Sequence, residues 1–237
     1  MFSLPYLVYF FLLAGAVLSI ITNRLTIPGA LLGGIVGLLV FIGGGYPGII
    51  MLTLFFILGS GATRTGLRKK QENGMAGENT SRRTAGQVLA NGGIAAILGA
   101  AAWYIPPQTH VLQLMMAGSI AAATADTLSS ELGTLWGSRF YNIITFKKDK
   151  PGLDGVVSLE GTLTGIAGAA VIACVYSIGH GWNIDFLWII LAGTIGNLAD
   201  SVLGATLERR HLIGNNLVNF FNTFTGALVC WLFFELF

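Results

Sequence analysis

Residues Val156–Ile178 read VVSLEGTLTGIAGAAVIACVYSI, 23 positions in which Glu160 is the only charged side chain. A helix that crosses a hydrocarbon core about 30 Å thick needs about 20 largely apolar residues. The run is therefore read as a membrane span. Outward from it, seven more apolar segments occupy Leu4–Ile21, Ile27–Ile42, Tyr46–Ser60, Gly86–Ile105, Val111–Ala125, Phe186–Ala199 and Leu217–Phe237. The fold class that follows is all-α: a polytopic membrane helix bundle, one domain over residues 1–237. The segments 27–42 and 46–60 are short, and the turn Gly43-Gly44-Gly45 between them is equally the tip of a re-entrant hairpin, leaving six full spans besides it.

Composition agrees. The chain is 54% hydrophobic and 10% charged, against roughly 25% charged in soluble domains, and its mean hydropathy is +0.72. Its 33 glycines suit helices that pack backbone to backbone in lipid. Cys174 and Cys230 lie inside apolar segments, so neither a disulfide framework nor a zinc site is indicated. The net charge of +2 implies no nucleic-acid partner, because the basic residues flank membrane helices. Met1–Ile21 lacks a basic leader and a small-residue cleavage site, and is read as a retained helix.

Lys and Arg accumulate in cytoplasmic loops. Alternate loops hold Arg24; Arg64, Arg68, Lys69, Lys70, Arg82 and Arg83; Arg139, Lys147, Lys148 and Lys150; and Arg209 and Arg210, which are all 13 basic residues. The intervening turns hold none. Both termini are thus expected on the non-cytoplasmic side, and the active site on the cytoplasmic one. The stretch Gln71–Ser81 (QENGMAGENTS) is expected to be mobile, and its formal glycosylation sequon at Asn79 to go unused.

Carboxylates gather at the same helix ends. AGSIAAATAD closes at Asp126 and AGTIGNLAD at Asp200, a weak internal repeat, each followed by a hydroxyl residue, Thr127 or Ser201. Such carboxylate and hydroxyl pairs can hold Mg²⁺, a hard cation that takes oxygen ligands and substrate phosphates. The plain alternative is an interfacial Asp snorkelling into headgroup water. Helical spacing pairs Asp126 with Ser130 and Thr127 with Glu131, and Gly133 can turn the chain so that Glu131 returns to the site. After Asp154, the hydroxyls of Ser158, Thr162 and Thr164 and the carboxylate of Glu160 stand where a helix enters the bilayer, and a helix N-terminus favours phosphate. Simple capping by Asp154 or Ser158 competes with that reading. Asn197, Ser201, Gly204 and Glu208 form one polar stripe, and Asn215, Asn219 and Asn222 another. These asparagines, with Asn91, serve either a site or helix-to-helix hydrogen bonds. Gly43–Gly48 satisfies G-x-G-x-x-G but follows no strand and is a turn, and no Walker sequence occurs.

The runs QVLANG (87–92), ADTLSSELG (125–133), GVVSLEGT (155–162), DSVLGATLE (200–208) and NNLVNF (215–220) resemble a membrane family labelled DUF92, which includes the plant phytyl-phosphate kinase and the animal transmembrane protein 19 group. A more distant likeness links S-L-E-G-T (158–162) to phytol kinase, dolichol kinase and the CDP-diacylglycerol synthases. In those kinases a lysine usually precedes the serine; here Val157 does, so the phosphate contact falls to Arg139, Lys147, Lys148 or elsewhere. Glu208 stands where glutamine is expected.

The resemblance implies a prenyl-phosphate kinase that moves a phosphoryl group from a nucleoside triphosphate, CTP in several relatives, to a lipid-linked monophosphate. Asp126, Asp200 and Glu131 are then the expected catalytic and Mg²⁺-binding set. Asn91, Thr127, Ser130, Asp154, Ser158, Glu160, Thr162, Ser201, Glu208, Asn215 and Asn219 are the expected substrate and nucleotide contacts, with Arg139, Lys147 and Lys148 steering the anion. Membrane lipid is an expected partner and a homo-oligomer stays open. The rival readings are a CDP-lipid-forming cytidylyltransferase and a transporter of lipid or small solute.

Overall fold

The computed structural model describes residues 4–72 and 82–237, with side chains for 6–65 and 82–237. The sequon at Asn79 and nearly all of the stretch expected to be mobile lie outside them. Among the described residues there are seven α-helices: α1 Leu4–Ile21, α2 Ile27–Glu72, α3 Ala85–Tyr104, α4 Thr109–Trp136, α5 Leu159–His180, α6 Asp185–Leu203 and α7 Asn215–Leu236. Six helical stretches are long and apolar enough to cross a membrane. The bundle is an all-α integral membrane fold, as its hydropathy requires.

The glycine turn resolves into a hairpin. Helix α2 doubles back at Gly45, whose φ of 58° and ψ of −151° are natural only to glycine, and Pro47 then opens the second arm, where a missing N–H costs nothing. The reversal shows in the contacts: a Cβ on Gly48 would stand 3.0 Å from the Val40 carbonyl oxygen, and Arg24 before the first arm donates to the Ser60 carbonyl on the second at 2.7 Å. The hairpin tip sits at the level of Gln113 near the start of α4 and of Gly179 at the end of α5, so it nearly traverses the bundle. The second and third apolar segments are therefore two arms of one hairpin.

Helix α4 is the axis of the fold. Ala117, Ala121, Ala122, Ala123 and Ala125 are wholly buried on it, surrounded by α2, α3, α5, α6 and α7. Leu114, Met116, Ile120, Ile172, Tyr176 and Ile189 fill the core in the half away from the polar helix ends. Residues left exposed are large and apolar over most of α1 and the outer faces, as expected of lipid contact.

Between α4 and α5 a polar loop is held by a small antiparallel ladder, β1 Tyr141–Asn142 against β2 Val156–Val157. Buried Asn142 accepts from the N–H groups of Ile144 and Thr145, both at 3.0 Å, and so closes the turn. A hydrogen-bonded ion pair of 2.7 Å between Arg209 and Asp149 ties this loop to the end of α6. Cys174 and Cys230 are free thiols.

Candidate active site

A cavity of about 610 Å³ opens at the end of the bundle where α1, α4 and α6 finish and α3, α5 and α7 begin. Helices α4 and α6 run in parallel, which places the two AD sequences at one depth. Their approach is close because the contact is made of small residues. A Cβ on Gly196 would stand 2.6 Å from the Ala122 methyl and 3.0 Å from the Asn222 carbonyl oxygen, and one on Gly193 would stand 3.1 Å from the Ala121 carbonyl carbon. Asp126 and Asp200 consequently come within hydrogen-bonding reach of each other on the cavity wall. Bringing the two carboxylates together is unfavourable unless something positive or a proton joins them.

Two further oxygens are left without a donor. Asp200 Oδ1 is buried with no hydrogen-bond partner, and so is Oδ1 of Asn91, which lines the same cavity at 9% exposure. The Asn91 amide nitrogen is spent on the Gln87 carbonyl at 3.0 Å. Unpaired buried acceptors are few in native proteins and each calls for an explanation. A divalent cation fits: the donors are oxygen only, and one or two carboxylates completed by neutral oxygens, water and substrate phosphate is what Mg²⁺ accepts.

Glu131 lines the same cavity, and both Asp126 and Arg83 feel its charge. Among the described residues no three His, Cys, Asp or Glu side chains come close enough to hold one ion.

Around Asp200 a second acidic layer forms. The chain after α6 widens into a π-helical turn, Gly204–Glu208, a feature frequent at functional sites. Glu208 hydrogen-bonds Asn215 at the start of α7 and feels the charge of Asp154 from the loop. Gly155 rests directly on Ala205. The lip formed by 152–157 thereby closes one side of the cavity.

Twelve of the predicted site residues line this cavity: Asn91, Asp126, Thr127, Ser130, Glu131, Asp154, Ser158, Asp200, Ser201, Glu208, Asn215 and Asn219. Ser158 does so while acting as the N-cap of α5, accepting from the Gly161 N–H at 3.1 Å. Five do not line it. Arg139, Lys147 and Lys148 point to the exposed surface of the loop. Glu160 accepts from the Ser138 N–H at 3.1 Å and its hydroxyl at 2.7 Å, which anchors the loop. Thr162 donates to the Ser158 carbonyl at 3.0 Å within its own helix. Asn222 is wholly buried and reaches the Ala122 carbonyl at 3.4 Å, the helix-bonding alternative.

The cations in the cavity are ones the sequence offers only as orientation signals: Arg24, Arg64 and Arg83. Arg83 reaches it because residues 25 and 83 pair as a parallel bridge, a tertiary contact no local pattern encodes. Burial pulls the Arg83 guanidinium pKa down and the charges of Glu131 and Asp126 oppose this. It remains a cation at neutral pH.

Over residues 10–227 the chain matches the family described as Integral membrane protein DUF92. It is 35% identical over 201 residues to the uncharacterized membrane protein MJ0933 of Methanocaldococcus jannaschii, covering 85% of this chain and 82% of that one. To the uncharacterized membrane protein sll0875 of Synechocystis it is 31% identical, covering 82% and 77%. To the chloroplastic protein VTE6 of Arabidopsis thaliana it is 27% identical over 217 residues, covering 89% of this chain and 65% of VTE6. No solved structure matches the chain.

Proposed function

Because the chain belongs to the DUF92 family of integral membrane proteins, we propose that it is a prenyl-phosphate kinase. It moves a phosphoryl group from a nucleoside triphosphate, CTP by its resemblance to the lipid kinases, to an isoprenyl monophosphate such as phytyl or geranylgeranyl phosphate. The supporting observation is the meeting of Asp126 and Asp200, from two separate helices, at the rim of an otherwise apolar bundle. The arginine-rich end that holds the cavity faces the cytoplasm under this reading, as basic loops do.

Phosphoryl transfer asks for positioning and charge neutralisation more than for covalent help. Asp126 and Asp200 would hold Mg²⁺, which when bound supplies charge neutralisation to the phosphates. The Asn219 amide and the Thr127 and Ser201 hydroxyls orient phosphate oxygens, and Oδ1 of Asn91 would add a neutral oxygen beside the Asp126–Asp200 pair. An oxygen of the acceptor phosphate bonds to the γ-phosphorus as the bond to the bridging oxygen breaks, and the nucleoside diphosphate leaves with that electron pair. No side chain need remove a proton first, since a phosphomonoester with a second pKa of about 6 is mostly dianionic at neutral pH.

Purified protein with Mg²⁺, CTP or ATP and a panel of phytyl, geranylgeranyl and farnesyl monophosphates should yield the diphosphates by mass spectrometry. With CTP labelled separately at the α- and γ-positions, only γ-label should reach lipid. Transfer of α-label with release of pyrophosphate would make the protein a cytidylyltransferase instead. Solute flux into liposomes without nucleotide would favour a transporter.

A further inference from the structure

The arginine side of the cavity is built as deliberately as the carboxylate side. The Arg83 backbone is pinned by a donated bond to the Arg24 carbonyl at 2.8 Å and an accepted one from the Thr26 N–H at 3.1 Å. Its guanidinium lies over the Phe55 ring, 5.1 Å from the centroid, a stacking that suits Arg and not Lys. Gly59 clears the space beside it: a Cβ there would stand 2.5 Å from Nη2 of Arg83 and 3.2 Å from the Thr127 methyl. Arg24 comes alongside through its bond to the Ser60 carbonyl.

Held this way, the guanidinium faces a cavity that also contains the unpartnered oxygens of Asn91 and Asp200. The two sides ask different things of a ligand. The carboxylates accept a cation with phosphate attached to it, whereas Arg83 offers a planar fork to an anionic oxygen pair. A cation held by Asp126 and Asp200 would neutralise phosphate charge on one side of the cavity, leaving an anionic oxygen pair beside it for Arg83.

We propose that Arg83, backed by Arg24, seats the phosphate adjacent to the one that meets the Asp126–Asp200 pair, so that the cavity selects a diphosphate unit over a lone phosphate. The inference deepens the proposed function and rests on it, since such a unit occurs in both the nucleotide donor and the prenyl diphosphate product. It also moves the phosphate contact from the exposed 139–150 loop to the α2 hairpin and the start of α3.

The test uses inorganic pyrophosphate and orthophosphate, each with Mg²⁺, bound to the 237-residue chain in detergent and followed by calorimetry and thermal midpoint, without turnover. Pyrophosphate should bind the unaltered protein more tightly than orthophosphate. Arg83→Lys, which keeps the charge and loses the fork, should weaken pyrophosphate about tenfold. Gly59→Ala keeps Arg83 itself but displaces its flexible head, and should weaken it in the same direction. Arg210→Gln, exposed and outside the cavity, should change nothing. If Arg83→Lys and Gly59→Ala both bind pyrophosphate as the unaltered protein does, Arg83 merely balances the charge of Asp126 and Glu131 and the seat is overturned. Equal binding of the two anions overturns it too. Selective, Arg83-dependent binding in a protein that phosphorylates no prenyl monophosphate would uphold the seat and sink the kinase reading.

Discussion

At the end of the bundle away from the cavity, Gln113 donates to the Gly43 carbonyl at 2.7 Å and meets His180 at 3.1 Å, while His110 meets buried Asp185 at 3.2 Å. At the cavity end, Asp126 and Asp200 face one another, and oxygens of Asp200 and Asn91 have no donor. The same classes of side chain close a structure at one end and leave a site open at the other. Unpartnered atoms exist outside the cavity as well, on Ser119, Tyr176, Ser177 and Asn222. Those are neutral groups, however, and a neutral group is cheaper to strand than a carboxylate in a dry interior. What separates the two ends is unpaired charge rather than polarity.

The largest effect should come from removing that charge. Asp126→Asn or Asp200→Asn should lower turnover by roughly 10²–10³-fold, the loss usual for one well-placed electrostatic partner. Each should also leave the fold more stable by roughly 0.5–2 kcal/mol, because a strained site has been relieved of a like-charge contact. Prenyl-diphosphate formation and the thermal midpoint of the same preparations check both halves. Full turnover in either variant would remove the metal pair from the mechanism.

At the closed end the opposite pattern is expected. Gln113→Leu leaves the Gly43 carbonyl and Nε2 of His180 without their partner, and should cost about 1–3 kcal/mol. Turnover per folded molecule should stay unchanged, because the cavity lies at the far end of α4. A variant that folds normally but turns over slowly would mean that the hairpin tip is coupled to the site, and the two ends would no longer be separable.

This division was only partly legible in the sequence. Hydropathy reads the helices, and the paired AD endings place two carboxylates at one depth, since Asp126 and Asp200 stand at similar offsets along two parallel helices. The hairpin is one of two readings the sequence allows, because Gly43–Gly45 permits a turn without dictating whether the arms separate. The cations that line the cavity are illegible for a different reason. Lysines and arginines in membrane loops all obey the same orientation rule, so Arg83 looks no different from Lys147 until the pairing of residues 25 and 83 brings it inward. The π-helical turn at Gly204–Glu208 likewise leaves no local signature, being one extra residue in an otherwise regular polar stripe.

The smallest effect belongs to the strap between the two acidic layers of the open end. Contact with Arg209 holds the Asp149 carboxyl below its usual range, with the Lys150 N–H assisting. A carboxyl lowered in the folded state stabilises the fold at pH values above its unfolded pKa, near 3.8, and that contribution fades as the pH falls through the lower folded value. Arg209→Gln should therefore lower the thermal midpoint slightly at neutral pH and progressively less in acid, the two melting curves converging below the ordinary carboxylate range. The ion pair is partly exposed, so raising the salt concentration should shrink the difference as well. Since this pair fixes the loop whose Gly155 rests on Ala205, a modest rise in KM with little change in kcat should accompany it. A difference that persisted undiminished through acid would show that Arg209 holds the loop by packing rather than by charge.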